Sequence, residues 1–451
     1  MENKSKFWQG VLAGSLITVF IGLIIIGVSS GILMFGKKTL NVEQQIQTVE
    51  SDVSGQEAIQ LDYQRINQKL EALHERVGQD FYFEENVENV EEGIYAGMMA
   101  GLGDPYTCYY TAEEYMDLME DTAGVYCGIG AMISQNLETN VMTIIRVFEG
   151  SPAAEGGLLA GDIISKVDGK DVSQENVDLV VKNYVKGEEG TDVTLTVFRP
   201  SVSDYQDITM TRRSIEVPTV EHRMLKDDIG YVLITQFEMV TADQFKEAVS
   251  DLQSQGMKKL MIDLRSNPGG IVDSAVSIAA YLLPEGEILK TKYKNGQEDV
   301  YLTKDKKLRV NTTSNARFPQ YPVLDEDELD IPIVILVDGN SASASEILAG
   351  AMRDYDRATL VGTTTFGKGI VQNVYPLKDG SAVKITVAKY FTPSGYDLHE
   401  KGIEPDVKVE ISDELKAQGV YTLDEDNQVQ EGIKVLEEES SKETPVRMIP
   451  R

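Results

Sequence analysis

The chain has 451 residues, of which 42% are hydrophobic, and its formal net charge is −31. A length of this order corresponds to about two to four domains, and the hydrophobic content is too high for a disordered protein. The strong negative charge repels phosphate backbones, which excludes nucleic acid as a partner.

Residues 8–35 contain no charged side chain and are rich in Val, Leu, Ile and Gly. About 28 apolar residues are enough for a helix to cross a bilayer, and a cleavable signal peptide has an apolar region of only about 7–15 residues. We therefore expect a retained, single-pass membrane anchor within residues 1–38. Lysines flank both sides of the segment, so their positive charges hardly distinguish the two orientations. The charge of the free amino terminus favours a cytoplasmic N-terminus, with the rest of the chain outside the cytoplasm.

Residues 39–112 are predicted to be a helical region. Leu61, Ile66 and Leu70 recur at roughly helical spacing, and a second helix is expected from residue 87 to residue 102, before the turn at residues 103–105. The pattern fits a stalk above the membrane and equally an arm that pairs two chains. A homodimer formed through these helices is therefore one of two open interpretations.

Residues 113–200 are predicted to form a compact β-rich unit. Strands are expected at residues 141–147, 162–167 and 193–198, and a short helix is expected to begin at Ser151. A further helix carries its apolar face on residues spaced i, i+3, i+4 and i+7, which are Val177, Val180, Val181 and Tyr184.

The segments 127–130, 150–153 and 161–164, together with the turn at 168–169, resemble a PDZ domain. Backbone amides after the first segment can form a nest for a peptide carboxylate, and the following strand offers an edge to which a peptide can add. The alternative is a small β-rich domain without a ligand. The expected groove residues are Cys127, Gly128, Ile129, Gly130, Ala131, Met132, Val177 and Val181.

Residues 201–437 have the pattern of an α/β core. Strands are expected at residues 229–234, 259–264 and 332–338, the last of them central because it is almost purely apolar. Helices are expected at residues 241–255 and 272–283. The polar stretch from about 290 to 330 is interpreted as a surface excursion, and residues 438–451 as a polar tail.

No metal site is expected. The acidic run at residues 325–328 is consecutive, whereas a calcium loop needs spaced ligands and a glycine turn. The two cysteines, Cys108 and Cys127, cannot supply four zinc ligands, and their spacing is not that of a CxxC redox motif. A disulfide between them and two free thiols both remain open.

Three serines, Ser341, Ser343 and Ser345, stand where the strand at 332–338 gives way to a predicted helix. The amino end of a helix stabilises negative charge, and acyl transfer passes through an oxyanion. Serines at this position are also typical helix caps. The pattern by itself leaves three equivalent hydroxyls, each a candidate nucleophile or cap.

A serine nucleophile needs a base, and Lys368 is the candidate. It lies between Gly367 and Gly369, which allow close backbone approach. A lysine acts as a base only when it is neutral, which requires burial and a pKa lowered towards about 7–8. In an extended chain Gln372 shares a face with Lys368, so its neutral amide can orient the amine. A surface lysine in a glycine turn is the alternative.

The segments 263–270, 341–347, 365–372, 391–395 and 402–406 resemble, in this order, the C-terminal processing peptidases, a family of tail-specific serine proteases with a PDZ domain. The resemblance implies an α/β protease core, with a mixed sheet and helices of the ClpP and crotonase type. It also implies a PDZ domain inserted between the N-terminal helices and that core. The expected fold is completed by the transmembrane helix.

The same resemblance implies a role for each matching residue. Ser343 is the expected nucleophile, Lys368 the base and Gln372 the residue that orients the lysine. An oxyanion hole is expected from backbone amides at the Asn-Pro-Gly-Gly turn and after the nucleophile. The residues that supply those amides are Gly269 (or Gly270) and Ala344.

The expected function is that of a membrane-anchored serine endopeptidase that captures apolar protein C-termini in its PDZ groove and cleaves through an acyl-enzyme, without metal or organic cofactor. Two alternatives remain. One is a catalytically silent PDZ adaptor tethered to the membrane, and the other is a serine hydrolase acting on esters or small amides.

Overall fold

The structure is a computed structural model that describes residues 61–226, 228–304, 307–312, 329–418 and 421–441. Two compact units are present, with their boundary between Pro105 and Tyr106. Among the described residues, no helix is both long and apolar enough to cross a membrane. The expected membrane span, the acidic run and residues 442–451 of the predicted polar tail lie outside the described residues, whereas residues 438–441 belong to a helix that begins at Asn427.

The first unit contains two helices, α1 (Tyr63–Asp80) and α2 (Val87–Ala100). Each begins at a side-chain cap, because Asp62 accepts a hydrogen bond from the Arg65 amide and Asn86 accepts one from the Asn89 amide. None of the residues in the two helices is buried. The prediction of two helices here is confirmed.

The second unit begins with a connecting segment that leads into a β-rich domain. The segment comprises β1 (Cys108–Tyr110), α3 (Ala112–Ala123) and β2 (Val125–Gly128). The domain contains β3 (Ala131–Gln135), β4 (Met142–Val147), α4 (Pro152–Gly156), β5 (Ile163–Val167), β6 (Lys170–Asp171), α5 (Val177–Val180), which a wider turn over Val181–Val185 continues, β7 (Asp192–Arg199) and β8 (Asp204–Thr211).

The β-rich domain is built on one sheet in the order β3-β4-β5-β7-β8. Its apolar core includes Ile144, Val180 and Leu195. The predicted end of this unit at residue 200 is too early, because β8 pairs along the whole of β7 and so extends the sheet to Thr211. The strand β3 lies at one edge of the sheet, which leaves its outer side open to another strand.

The remaining residues form the α/β core. Its strands are β9 (Arg213–Glu216), β10 (Val220–Lys226), β11 (Ile229–Ile234), β12 (Lys259–Asp263), β13 (Gly286–Tyr293), β14 (Glu298–Lys304), β15 (Lys307–Thr312), β16 (Ile333–Val337), β17 (Thr359–Gly362), β18 (Ile370–Pro376), β19 (Ala382–Phe391) and β20 (Val407–Lys408). Its helices are α6 (Thr241–Ser254), α7 (Val272–Leu282), α8 (Ala344–Asp354), α9 (Asp413–Gln418) and α10 (Asn427–Ser441).

The main sheet of the core has the order β10-β11-β12-β16-β17-β20, and every pair except β10–β11 is parallel. Residues of α6, α7 and α8 share one apolar cluster with one face of this sheet, and residues of α10 share a second cluster with the other face. Each residue of β16 is buried, as expected for a central parallel strand covered on both sides.

A second sheet has the order β1-β19-β13-β14-β15, and β18 also pairs with β19. It corrects the interpretation of residues 290–312 as part of a surface excursion, and residues 313–328 lie outside the described part of the chain. The strands β13, β14 and β15 lie between residues 286 and 312, with Thr291, Tyr301 and Val310 buried. These strands are polar in composition because only one of their faces turns towards the core.

Candidate active site

Four neighbouring parallel strands, β11, β12, β16 and β17, end at the same edge of the main sheet. The loops that follow them, residues 235–240, 264–271, 338–343 and 363–369, therefore meet beyond that edge. In open α/β sheets this is the place where ligands bind. Ser341, Ser343, the Asn-Pro-Gly-Gly turn and Lys368 lie on these loops, and Ser345 lies in the first turn of α8.

The three serines differ in their hydrogen bonds. Ser341 donates its hydroxyl to the Leu264 carbonyl oxygen at 2.7 Å, and Ser345 donates to the Asn267 carbonyl oxygen at 3.0 Å. Ser343 is only 1% exposed, and its Oγ has no hydrogen-bond partner among the described residues. Two of the hydroxyls therefore brace the loop after β12, whereas the third is left available for chemistry.

The backbone of Ser343 is strained. Its φ of 56° and ψ of −112° lie outside the regions that side chains other than glycine usually adopt. Ser343 precedes the first residue of α8, on a sharp strand-to-helix turn of the kind that presents the nucleophilic serine in α/β-hydrolases. Ser341 and Ser345 stand at the two positions where that nucleophile elbow has glycines. Strain of this kind is concentrated at functional sites.

The Asn-Pro-Gly-Gly turn packs directly against Ser343. Its register is fixed by Phe237, which donates to the Gly269 carbonyl oxygen at 2.9 Å and accepts from the Ile271 amide at 2.7 Å. The Gly269 amide donates to Asn267 Oδ1 at 2.8 Å. The expectation that the Gly269 amide donates to the oxyanion is therefore corrected, because this N–H is already engaged. Gly270 and Ala344 remain as the candidate pair of donors.

Lys368 is 5% exposed and lies in a tightly packed loop. A Cβ atom on Gly367 would come within 2.8 Å of the Gly402 nitrogen, and one on Gly369 within 2.8 Å of the His399 nitrogen. The expected close approach of backbone at both glycines is thus confirmed. The Lys368 Nζ atom lies 4.5 Å from the centre of the Tyr106 ring. The alternative of a surface lysine is wrong.

Gln372 lies on β18 and is 1% exposed. The register of β18 against β19 shifts between Val371 and Gln372, and such a bulge redirects the side chains next to it. Gln372 Nε2 donates to Thr386 Oγ1 at 3.2 Å, and Oε1 has no partner among the described residues. The amide is therefore held at one end and offers a buried acceptor at the other.

Two residues of the site had no role in the sequence analysis. Tyr390 is completely buried on β19 and donates its hydroxyl to the Ser343 carbonyl oxygen at 3.1 Å. Burial, with a contribution from the nearby Glu346 charge, raises the pKa of Tyr390, so that it remains a donor. Glu346 accepts a hydrogen bond from the Ser343 amide at 2.9 Å. The spacing Ser-x-x-Glu, typical of a capping box, was the available signal for Glu346.

Glu238 lies immediately behind the Asn-Pro-Gly-Gly turn, one residue after Phe237. Its Oε2 is buried without a hydrogen-bond partner among the described residues. Burial, reinforced by the charge of Asp121 on α3, raises the pKa of Glu238 to about 7. The Met239 amide donates to the Thr122 carbonyl oxygen at 3.2 Å, so α3 is joined directly to this loop.

The structure divides the predicted groove residues into two groups. Cys127 and Gly128 lie on β2 and pair with Ser214 and Arg213 of β9. They belong to a ribbon between the β-rich domain and the core. The expectation that these two residues line the groove is therefore corrected. The remaining predicted residues lie at the groove or beside it. These are Ile129, whose side chain is buried in the domain core, Gly130 with φ 78°, Ala131 and Met132 on the edge strand β3, Val177 on α5, and Val181 after it.

Gln135 joins the edge strand β3 to α5. It accepts a hydrogen bond from the Val177 amide at 3.0 Å and donates to the Glu175 carbonyl oxygen at 2.7 Å. The edge strand and the helix are thereby held as the two walls of one groove.

Cys108 and Cys127 are free thiols. Of the two possibilities that the sequence left open, a disulfide and two free thiols, the structure has the second.

Comparisons with known proteins give a family match for each of the two domains. The profile of peptidase family S41 matches residues 228–409, and the profile of the PDZ domain matches residues 143–199. The chain is 37% identical over 342 residues to the "Carboxy-terminal-processing protease" of Bartonella bacilliformis, covering 75% of this chain and 74% of that protein.

The chain is also 36% identical over 342 residues to the "Probable CtpA-like serine protease" of Staphylococcus aureus strain MRSA252, covering 76% of this chain and 64% of that relative's length. A solved structure, the "photosystem II D1 C-terminal processing protease", matches with 27% identity and a TM-score of 0.41, over 76% of this chain and 87% of that one. The chain belongs to the PDZ-containing carboxy-terminal-processing proteases of peptidase family S41.

Proposed function

We propose that this protein is a serine endopeptidase in which Ser343 is the nucleophile and Lys368 the general base. One observation carries the proposal: from a strained turn at the start of α8, Ser343 presents a buried hydroxyl that has no hydrogen-bond partner within the part of the chain that the structure describes. Family membership supports the same reaction class. The burial of Lys368 is what a neutral amine requires.

In the proposed reaction, Ser343 Oγ attacks the carbonyl carbon of the scissile peptide while its proton passes to Lys368 Nζ. The oxyanion is stabilised by the amides of Gly270 and Ala344, aided by the dipole of α8. The C–N bond then breaks, and the protonated lysine gives its proton to the leaving amine. Water attacks the acyl-enzyme with Lys368 again as base, which releases the new carboxyl end and restores Ser343. The open Oε1 of Gln372 is the acceptor that orients the amine.

The substrates we propose are polypeptides with apolar C-termini. A peptide would add as a strand to the free edge of β3, and its terminal carboxylate would bind to the backbone amides of the turn before that strand. The side chains of Val177 and Met132 supply apolar contacts beside this edge. The connection from the PDZ domain through α3 to Glu238 supports a coupling between groove occupancy and the catalytic loops.

Anchoring of the chain by residues 8–35, with the catalytic part outside the cytoplasm, stays a prediction from the sequence. Pairing of two chains through the N-terminal helices is supported by the exposure of their apolar residues, among them Val77, Ile94 and Met98. The presence of the chain in a membrane fraction, and accessibility of the catalytic part to protease added outside intact cells, would test the first proposal. Sedimentation equilibrium would test the second.

The experiment that tests the activity uses the full chain in detergent with an unfolded protein that ends in apolar residues. Cleavage is measured for the wild type and for Ser343→Ala and Lys368→Ala, alongside labelling of the serine by a fluorophosphonate. We expect cleavage and labelling of the wild type alone. A substrate with an amidated C-terminus serves as the matched control for PDZ capture, and we expect it to be cleaved more slowly.

The other functions give different results. Cleavage that survives either substitution would overturn the proposed dyad. Binding of the peptide without cleavage or labelling by any form would favour the membrane-tethered adaptor. Hydrolysis of small esters without cleavage of the polypeptide would favour the non-peptidase hydrolase.

A further inference from the structure

Glu346 is a completely buried carboxylate that receives four hydrogen bonds from residues of the candidate site. Its Oε2 accepts from the backbone amides of Ser343, at 2.9 Å, and Lys368, at 2.8 Å. Its Oε1 accepts from the Gly367 amide at 2.7 Å and from the Thr365 hydroxyl at 2.5 Å. One oxygen atom is therefore shared by the backbones of the proposed nucleophile and the proposed base.

Three of these four donors are backbone amides, which can only donate and therefore favour the ionised form of Glu346, whereas the Thr365 hydroxyl can also accept. Burial raises the pKa of Glu346, and the bonds from Thr365, Gly367, Ser343 and Lys368 act in the opposite direction. Among the described residues no cation forms an ion pair with Glu346, so the hydrogen bonds offset its desolvation, but only in part, because the pKa of Glu346 stays raised.

The position of Glu346 in the fold explains why such a bridge matters. Ser343 follows β16 and Lys368 follows β17, so the two residues lie on separate loops that can shift relative to each other. Between these loops the backbone contributes a bond from the Phe366 amide to the Ser341 carbonyl oxygen at 3.0 Å. Glu346 adds a rigid side-chain connection, because it stands on the first turn of α8 and reaches the loop after β17.

We infer that Glu346 is a positioning residue that sets the distance between Ser343 Oγ and Lys368 Nζ by binding both of their backbone amides through one carboxylate. This inference rests on the proposed function of the dyad. It goes beyond a helix cap, because a cap would need only the bond to Ser343. The bonds to Thr365, Gly367 and Lys368 stabilise the neighbouring loop and contribute nothing to the start of α8.

Three variants of the full chain test the inference. Glu346→Gln keeps the size of the side chain but replaces one acceptor oxygen by an NH₂ donor, so at least one backbone amide faces a donor. Thr365→Val keeps the carboxylate but removes the bond to Glu346 and the bond that Thr365 accepts from the Ile403 amide, and Thr365→Ser keeps both bonds. Asp299→Asn is the matched control, because Asp299 is a buried carboxylate on β14 that accepts a hydrogen bond from Tyr293 and lies outside the site.

The measurements are kcat and KM separately, the rate of fluorophosphonate labelling at Ser343, and the thermal unfolding midpoint. A displaced dyad costs on the order of 100-fold in rate, so we expect kcat and labelling of Glu346→Gln to fall together by about that factor, with KM nearly unchanged. Thr365→Val should show a smaller loss of the same kind, and Thr365→Ser should restore the rate. Asp299→Asn should match the wild type in kcat and labelling.

Folded Glu346→Gln or Thr365→Val with wild-type kcat and labelling would overturn the inference. So would a loss of kcat that only follows the folded fraction, or an equal loss in Asp299→Asn. If Glu346→Gln does not fold, the Thr365 pair decides. A wild-type chain that neither cleaves nor is labelled would overturn the proposed function and this inference together, whereas an active wild type with an equally active Glu346→Gln overturns this inference alone.

Discussion

Gly269 faces Ser343 so closely that a methyl group on Gly269 would lie 2.8 Å from the Ser343 Cβ. The same methyl group would lie 2.9 Å from the Ala344 nitrogen and 2.6 Å from the Ala342 carbonyl oxygen. Gly269 also has a φ of 100°, which disfavours any other residue. The glycine is therefore required by close approach to the nucleophile, although its own amide is engaged with Asn267.

Replacement of Gly269 by alanine should separate the Asn-Pro-Gly-Gly turn from Ser343 and displace the Gly270 amide. Because loss of one oxyanion donor costs about 100-fold to 1,000-fold in rate, we expect kcat/KM of Gly269→Ala to fall by about that range. Gly296→Ala is the control, since Gly296 has a φ of 83° but open space around its Cα. Equal activities of the two variants would contradict the proposed role of the turn.

Alanine variants of Ser341, Ser343 and Ser345 should distinguish the serines that stabilise the loop from the serine that reacts. Ser341→Ala and Ser345→Ala each lose a buried hydrogen bond, so we expect a loss of about 1–2 kcal/mol in the free energy of unfolding, with labelling of Ser343 retained. Ser343→Ala removes a hydroxyl that has no hydrogen-bond partner in the described ranges of the chain. It should therefore keep or increase the stability while abolishing labelling. Chemical denaturation measures the stability, and mass spectrometry of the labelled chain identifies the labelled serine. Labelling of Ser341 or Ser345 in place of Ser343 would contradict this prediction.

A charge at Gln372 should change the pH dependence of activity. In Gln372→Glu, a carboxylate beside Lys368 stabilises the ammonium form, so less neutral base is present at neutral pH. We expect the acid limb of the kcat/KM profile to move to higher pH. Gln372→Met, which has similar size and no charge, should lose rate without this displacement. An unchanged profile in Gln372→Glu would mean that its side chain does not reach the base.

Glu238 should make stability depend on pH near neutrality. Its folded pKa of about 7 lies above its ordinary value of 4.5, so the folded chain holds the proton more tightly than the unfolded chain. The corresponding stability is complete below about pH 4.5 and is lost as the pH rises through 7, by an amount on the order of 3 kcal/mol.

Glu238→Gln cannot titrate at this position, so we expect it to be more stable than the wild type at pH 8 and about equal to it at pH 5. Urea denaturation at both pH values measures the difference. Asp243→Asn, which changes an exposed carboxylate on α6, should leave the difference between the two pH values as in the wild type. A Glu238→Gln chain with the wild-type pH dependence would show that another group is responsible.

The elements of the core were largely predictable because their burial produces a local pattern. The apolar run at 332–338 identified β16, and the spacing of Ala242, Phe245 and Val249 identified α6. The strands β13 to β15 were missed, because their buried positions are partly polar, with Thr291, Asp299 and Thr303 among them, and this hides the alternation of a sheet with one buried face. The end of β8 was missed because pairing with β7 is a tertiary contact.

The sequence by itself determined the family, the two domain types and the three side chains of the proposed catalytic set, because these follow from residue identity and order. Only the tertiary structure decided which of three similar serines is free, since Ser341 and Ser345 are engaged by a loop distant in sequence. It also decided that the Gly269 amide is engaged by Asn267, and that Glu346 joins two separate loops. Hydrogen bonds between distant segments leave no mark on local composition, which is why these distinctions required the fold.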